Sequence, residues 1–565
     1  MSTSGMPAVD RCARLGALEQ ECADLKTQMT RLQEDIDRKK HMMAPLSPLY
    51  TLPDEVVAMI LKFAFQHHFP HCRLDDGPPH TNSPMTISYV SRWWRRQALS
   101  VSFIWNCIHV MMPQPPHYPT TVRLYLERSR GLPLSISFQC FTRDFALDEV
   151  DSRGWLAICP KLWQRLKVIW MDLLAEKSRW KHCSVYAWHS EVAGIITSLH
   201  KRRFPLLEYL GVTCSSSNVS RIGVFKIEAP RLTELRAEAW FPTIECPHDF
   251  PNRLTELKIS HVQVSLTRLM HVLAENAGTL QSLALAKVVY EVDGASAAAI
   301  RVPMLPRLTC LVLHGVTDSH SRTGSTIAAA LCHSAVALET LLVAAVRFTD
   351  VLCRDSKVFH TLRHLCVPSS PATETRDARE IINATPNLST LHVGNVRGFL
   401  RWVKTAMAED ESAGHCIAWP DLRSAYFTRI SSPWERDTLC AFVRHRVLVG
   451  KPLETFIVPD EEFEEPQPNP YLDQLRQLGI AVVTPSEAVA RGIEVASQWP
   501  NNKWDWAADK PIFVPWKGSL SFHDQFDQPM SNPSRLPSWL EPLPRRVRPE
   551  RDDPQELASG NELTD

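Results

Sequence analysis

The sequence predicts an α/β chain: a long N-terminal helix with a short coiled-coil seam, a compact trio of helices, and then strand–helix units stacked into a curved parallel sheet. Three observations carry this expectation. A heptad pattern runs through residues 15–36, helix-period apolar patterns fill residues 52–110, and an L-x-x-L-x-L unit recurs from residue 207 to beyond residue 390. The composition suits a chain with a buried core: of 565 residues, 44% are hydrophobic and 22% charged. Lys plus Arg and Asp plus Glu balance at 62 each, so no broad field draws the chain to nucleic acid or to an anionic membrane. The 15 cysteines are odd in number and form no C-x-x-C pair, which fits reduced thiols in the cytoplasm and/or nucleus. The start, MSTSGMPAVDRCARL, lacks a signal-peptide core, and no apolar run reaches the roughly 18 residues of a membrane span.

Residues 11–43 read as one helix within an N-terminal segment, 1–44. Leu15, Leu18, Cys22, Leu25, Met29, Leu32 and Ile36 alternate by three and four, with charged or polar residues between them. Lys39 takes the next seam position and ends the apolar series. Such a seam supports weak self-association through residues 15–36, a helix packed on its own chain, or a helix fraying in solvent. Pro45, Pro48 and Pro53 then close this helix and open a second segment, 45–112.

Within that segment, LPDEVVAMILKFAF (52–65) is an amphipathic helix. Pro53 is expected in its first turn, and Asp54 and Glu55 suit the positive end of the helix dipole. Val56, Val57, Ile60, Leu61, Ala64 and Phe65 make an apolar face too wide for one small contact. After a loop rich in Pro, Asp, Gly and His (66–86), one helix is expected from about Ile87 to Leu99, carrying Trp93 and Trp94. FIWNCIHV (103–110) is a third apolar piece. Residues 113–160 link this group to the repeats, with a helix at 121–130 and an alternating strand at 131–138.

The repeat units occupy 161–485. Copies start at Leu207, Leu232, Leu254, Leu280, Leu308, Leu338, Leu362 and Leu388, with weaker ones at Leu166/Ile169/Met171, Leu422/Ala425/Phe427 and Leu453/Phe456/Val458. Most are about 22–30 residues apart, close to the spacing of leucine-rich repeats. The last two apolar positions alternate, as in a strand with one buried face, and helices such as 265–278 and 321–335 lie between copies. No unit can bury its apolar face alone, so neighbours must stack. Asn is missing where many such repeats carry it after the strand, so the turns are expected to be uneven. The segment 486–565 is rich in Trp and Pro and reads as extended or disordered; Trp499, Trp504, Trp506, Trp516 and Trp539 suit either a cap on the last repeat or short binding motifs.

The segment 46–110 resembles an F-box, in the F-box-like form of mushroom-forming fungi. Leu52-Pro53-Asp54-Glu55-Val56 fits the opening motif, Ile60-Leu61 the aliphatic pair, and Val90-Ser91-Arg92-Trp93-Trp94-Arg95 the Val-Cys-Arg-x-Trp-Arg motif, with Ser91 for Cys. Ile104-Trp105 fits the closing Leu-Trp, and TVRLYLERSRGLPLSISF is similar to the element that often follows it. The resemblance covers about an eighth of the chain, and the repeats extend the likeness over most of the rest. It implies a three-helix module docking a Skp-type adaptor, and through it a cullin, with repeats that hold a target protein. The implied role is substrate receptor of a Skp–cullin–F-box ubiquitin ligase, without bond chemistry of its own. Leu52, Pro53, Val56, Ile60 and Leu61 are expected to face the adaptor, and Val90, Trp94 and Trp105 to form the module's core. The rival is a repeat scaffold with no ubiquitin role, for which these helices are only a cap.

Signals for enzyme chemistry are weak. His67, His68, His71, Cys72 and His80 crowd one loop, but adjacent histidines rarely point the same way, so neither a metal nor another cofactor is expected. His182-Cys183 and Cys332-His333 lack an orienting third group. There is no phosphate loop, nucleophile elbow or H-E-x-x-H helix. The acidic run 460–465 and the arginines Arg545, Arg546, Arg548 and Arg551 read as solvated segments. The strand positions between the leucines are expected to line a concave, target-binding face: Glu234, Arg236, Glu256, Lys258, Ser282, Arg363, His364, Thr390 and His392. Their mixed chemistry suits a protein surface better than an active site.

Overall fold

The computed structural model describes residues 8–43, 52–66, 84–111, 118–139, 160–187, 194–195, 198–214, 225–238, 242–244, 253–291, 302–318, 324–344, 356–367, 382, 384–394, 400–401, 403–404, 419–427, 430, 432–458, 470–484, 487–488, 504–505 and 510–511. The chain divides into a large unit, Met1–Ile512, and a second, Phe513–Asp565, which lies outside the described residues. So do the loop histidines, the acidic run and most of the Trp/Pro-rich tail. In that tail, besides residues 487–488, the short antiparallel pairing of Trp504–Asp505 with Lys510–Pro511 is described.

The fold is mixed helix and parallel sheet. The first helix, α1 (Ala8–Met43), covers the expected span. Helix α2 (Asp54–Gln66) begins one residue later than Pro53 suggests. Pro53 precedes the helix, and its carbonyl accepts from the N–H of Val56 and of Val57. The single helix expected at 87–99 is two: α3 (Pro84–Val90) and α4 (Arg92–Ser100). Ser91 breaks it. Its backbone is extended (φ −161°, ψ 168°), and its hydroxyl accepts from the Trp94 N–H at 3.2 Å, an N-cap. The third apolar piece is a single 3-10 turn, Ser102–Trp105, followed by a strand, β1 (Cys107–Met111). Helix α5 (Tyr118–Arg128) follows, and the chain turns through Arg130 and Gly131, both at positive φ, into β2 (Leu134–Gln139).

From β1 onward, among the described residues, one parallel sheet of fourteen strands adds strand by strand in chain order. After β2 come β3 (Trp180–Ala187), β4 (Tyr209–Cys214), β5 (Glu234–Glu238), β6 (Glu256–Ser260) and β7 (Ser282–Ala286). Then come β8 (Cys310–His314), β9 (Thr340–Ala344), β10 (His364–Val367), β11 (Thr390–Val393), β12 (Ser424–Phe427), β13 (Thr455–Ile457) and β14 (Ala481–Val483). Register follows the repeat: Leu235, Leu257, Leu283, Leu311, Leu341, Leu365 and Leu391 form one row across seven strands, all facing the main core. The expected helices between copies form as α7 (Leu266–Glu275) and α8 (Gly324–Ser334).

The weak copy at Leu166/Ile169/Met171 is not a strand. These residues lie in helix α6 (Pro160–Ala175), whose period of about 3.6 also brings Leu166 and Ile169 to one side. Three copies went unread because the leading or alternating leucine is another apolar residue. They are Trp105/Ile108/Val110, Leu134/Ile136/Phe138 and Trp180/Cys183/Val185; their last two positions pair in register with each other and with Leu210/Val212, and Leu134 pairs with Trp180. A β-bulge at Leu134/Ser135 accounts for the shortened spacing of the second.

Two regularities tie copies together. The residue after each leading leucine forms its own ladder: Thr233, Thr255, Gln281, Thr309, Glu339, Arg363, Ser389, Arg423 and Glu454 each donate a backbone N–H to the preceding member's carbonyl. Before that leucine a tight turn recurs, closed onto the carbonyls of Phe204, Ala229, Leu305, Ala335, Phe359, Thr385 and Trp419, all buried. After the strand, the expected unevenness is absent in three successive copies. His261, Lys287 and Gly315 all take positive φ, and each is followed by a buried valine, Val262, Val288 or Val316. The N–H groups of His261, Lys287 and Gly315 donate to the carbonyls of Ala286, His314 and Ala344, which ties each turn to the next strand without an asparagine side chain. Among the described residues no helix is long and apolar enough to cross a membrane.

Candidate interaction surface

The small module has its own core. Val57, Leu61 and Phe65 from α2 meet Ala98 and Val101, together with Ile104 and Trp105 from the 3-10 turn. Hydrogen bonds fix the arrangement: Gln97 Nε2 donates to Asp54 Oδ1 at 2.6 Å, and Trp105 Nε1 to the Ala98 carbonyl at 2.7 Å. Trp105 also meets Tyr125 edge-on at 5.1 Å, with the Arg128 guanidinium 4.5 Å from its ring centroid. This joins the module to α5. Tyr125 packs partly against both the module's core and the main core.

Helix α2 is apolar on a second side as well. Met59 is 52% exposed, Ile60 41% and Phe63 60%, and Val56 is half-buried beside them. Positions 56, 59, 60 and 63 follow helical spacing and form one stripe, turned away from Val57, Leu61 and Phe65. Of the five residues expected to face an adaptor, Pro53 and Ile60 are exposed and Leu52 and Val56 half-buried. Leu61 is a correction: at 2% exposure it is a core residue. Met59 and Phe63 are the apolar members that sequence reasoning missed, although their spacing from Val56 and Ile60 marks them. The expected core also needs correcting. Trp105 is fully buried and Trp94 is half-buried, edge-on to Trp93 at 5.1 Å. Val90 is 62% exposed, because the break at Ser91 ends α3 there and turns Val90 and Tyr89 outward.

The second face of the long sheet is not the uniformly mixed surface expected. On β5 and β6, Glu234, Arg236 and Glu256 are half-buried. Glu234 faces Glu256 across the strands and Arg236 faces Lys258. Lys258 is buried and pairs with Glu256 along its own strand, which offsets these like-charge neighbours. On β7–β10 the same row is apolar and buried: Ala284, Val312, Leu342 and Cys366. Ser282 and His364 are half-buried, and Thr390 is buried. Two further corrections follow: Lys258 and His392 are buried rather than displayed. Arg363 is exposed, one residue before β10, and joins the ladder through both its N–H and its carbonyl.

His392 sits beside Cys366 on the neighbouring strand, Nδ1 to Sγ at 3.0 Å, with its ring 4.3 Å from that of Tyr426. Both groups are desolvated. Burial lowers His392 to about 3 and pushes the Cys366 thiol well up, so each is held neutral. A nucleophilic cysteine needs the opposite, a stabilised thiolate. The pair is built for packing and not for attack. The two sequence-adjacent pairs divide likewise. Cys183 points into the core while His182, on the other face of β3, meets Ser135 Oγ at 3.0 Å. Cys332 is buried in α8, while His333 Nδ1 lies 2.7 Å from the Ala329 carbonyl of its own helix.

No protein-family model matches the chain, and no curated protein does.

Proposed function

We propose that this protein is the substrate-recognition adaptor of a Skp–cullin–F-box ubiquitin ligase, with residues 45–112 as an F-box-like module and the strand repeats as an irregular leucine-rich-repeat array. The observation that carries the reading is the two-sidedness of α2. One side closes the module's own core, and the other leaves Met59, Ile60 and Phe63 in solvent. Exposed apolar side chains in a row on a small module fit a protein-docking strip. A Skp-type adaptor is the partner that the resemblance of this segment suggests. The repeats would then hold a target protein in the cytoplasm or nucleus, and the receptor's part would be proximity alone: target lysines kept near the activated ubiquitin of a ubiquitin-transferring enzyme joined to the cullin scaffold. The half-buried charges Glu234, Arg236 and Glu256 belong to the face proposed for the target.

Co-purification of the full chain with a Skp-type adaptor tests this. Ile60→Asp should weaken capture at least tenfold, as a charge placed in a desolvated docking patch does. No capture by the native chain, or capture that Ile60→Asp and Phe63→Asp leave intact, would sink the reading. A second reading, a repeat scaffold without a ubiquitin role, draws support from one observation: β1, the end of this segment, is the edge strand of the long sheet, as a cap would supply.

A further inference from the structure

Helix α1 carries its seam in the open. Leu18, Leu25, Met29, Leu32 and Ile36 are all exposed, and so is Cys22. A row of apolar side chains at 3.5-residue spacing is stabilised by a second helix laid along it. We propose that α1 pairs with α1 of a second copy of this chain, as a parallel, in-register coiled coil over residues 15–36.

Two features of the sequence select this occupant. With Cys22, Met29 and Ile36 at one seam position of the heptad, the other is Leu18, Leu25 and Leu32. Leucine at every one of those positions is one half of the pattern of two-stranded parallel coils, and Ile36 supplies the β-branched residue of the other half. The flanking charges also complement a copy of themselves. Parallel pairing sets each residue just before a Cys22-type position against the residue five further on in the other chain. Glu21 then meets Lys26 of the second copy, and Arg14 meets Glu19 of the second copy. Each pair occurs twice by symmetry, and all four contacts are attractive. Arg14, Glu19, Glu21 and Lys26 are exposed on α1 and available for them. The same pairing sets Cys22 against Cys22 of the second copy. Two-fold association of this kind closes on itself, leaving the module and the repeats of each copy outside the seam.

The pairing stands independently of any ubiquitin role, and the test reads mass and not ligase activity. Sedimentation of the full chain in reducing buffer should give twice the 64.1 kDa chain mass, falling to the chain mass on dilution. Leu25→Glu with Leu32→Glu should return a monomer at every concentration. Both positions are exposed, so the fold should persist, as circular dichroism would verify. Diamide should yield a covalent dimer on a non-reducing gel. The two Cys22 thiols give up two protons and two electrons to the reagent, which becomes its hydrazine, and a disulfide forms. Cys22→Ser should abolish that band. A monomeric native chain would overturn the proposal. So would a dimer indifferent to the leucine substitutions, or a dimer whose cross-link does not involve Cys22.

Discussion

Ser91 decides where one expected helix becomes two. Helical periodicity continues through it, and only its hydroxyl, turned back onto the Trp94 N–H, marks the boundary. Ser91→Ala should therefore cost about 1 kcal/mol, and Ser91→Gly only a few tenths, in a thermal or denaturant melt. Arg446 acts on a larger scale. Its guanidinium is buried and donates to the carbonyls of Trp419 and Leu422 at 2.9 Å each. Burial lowers it to about 10, so it stays charged at neutral pH. Arg446→Ala leaves both carbonyls without these donors and should destabilise the chain by about 3 kcal/mol in urea titration. Arg446→Lys should recover little, since an ammonium lacks the planar fork that reaches both carbonyls. His392 sets a pH dependence. Its folded value, about 3, lies below the unfolded 6.5, so the unfolded chain binds the proton first. Its contribution to stability should be full above pH 6.5 and fall as pH drops from there toward 3, by about 2 kcal/mol at pH 5. His392→Gln should remove that share of the slope in denaturant melts taken at several pH values, leaving the share of His109, which burial lowers to about 4. None of these roles is written in residue type alone, since serine, arginine and histidine are usually solvent-facing.

At the scale of elements, α2 shows what periodicity can and cannot tell. The wide apolar face is visible in the sequence. Which half turns inward is set by Trp105 and Ile104, some forty residues away in the chain, and that placed Leu61 inside and Met59 outside. The two halves should separate under mutation. Leu61→Ala removes a buried side chain and should cost about 2–5 kcal/mol of module stability, read as faster amide exchange in α2 and α4. Met59→Ala should change stability by less than about 0.5 kcal/mol while weakening adaptor capture. The unread strand copies teach the same lesson from the other side. Trp105, in the module's core, and Trp180, in the main core, occupy the place of a leading leucine, where a large apolar residue fills the interior. A search for leucine passes over them, whereas a search for buried volume at that spacing finds them.

At the largest scale, fourteen strands among the described residues share one ladder, and each contacts chiefly its neighbours. Damage should spread along the sheet rather than across a compact core. Leu311 lies fully buried between Leu283 and Leu341. Leu311→Ala should lose about 2–5 kcal/mol locally. Hydrogen exchange should rise first in β7, β8 and β9 and leave β1 and β2 near their native protection. A uniform rise over all fourteen strands would contradict this one-dimensional picture.

Through spacing alone the sequence determined that this chain is α/β, with strands stacked in chain order, and that its first helix bears an apolar seam. Those features depend on local alternation repeated at regular intervals, which is a property of the chain itself. Only the tertiary structure decided which apolar residues are spent inside. It buried Leu61, exposed Val90, and turned part of a supposedly polar sheet face into Ala284, Val312, Leu342 and Cys366 under cover. Burial is a relation between two surfaces, and no single segment carries the identity of the surface that will meet it.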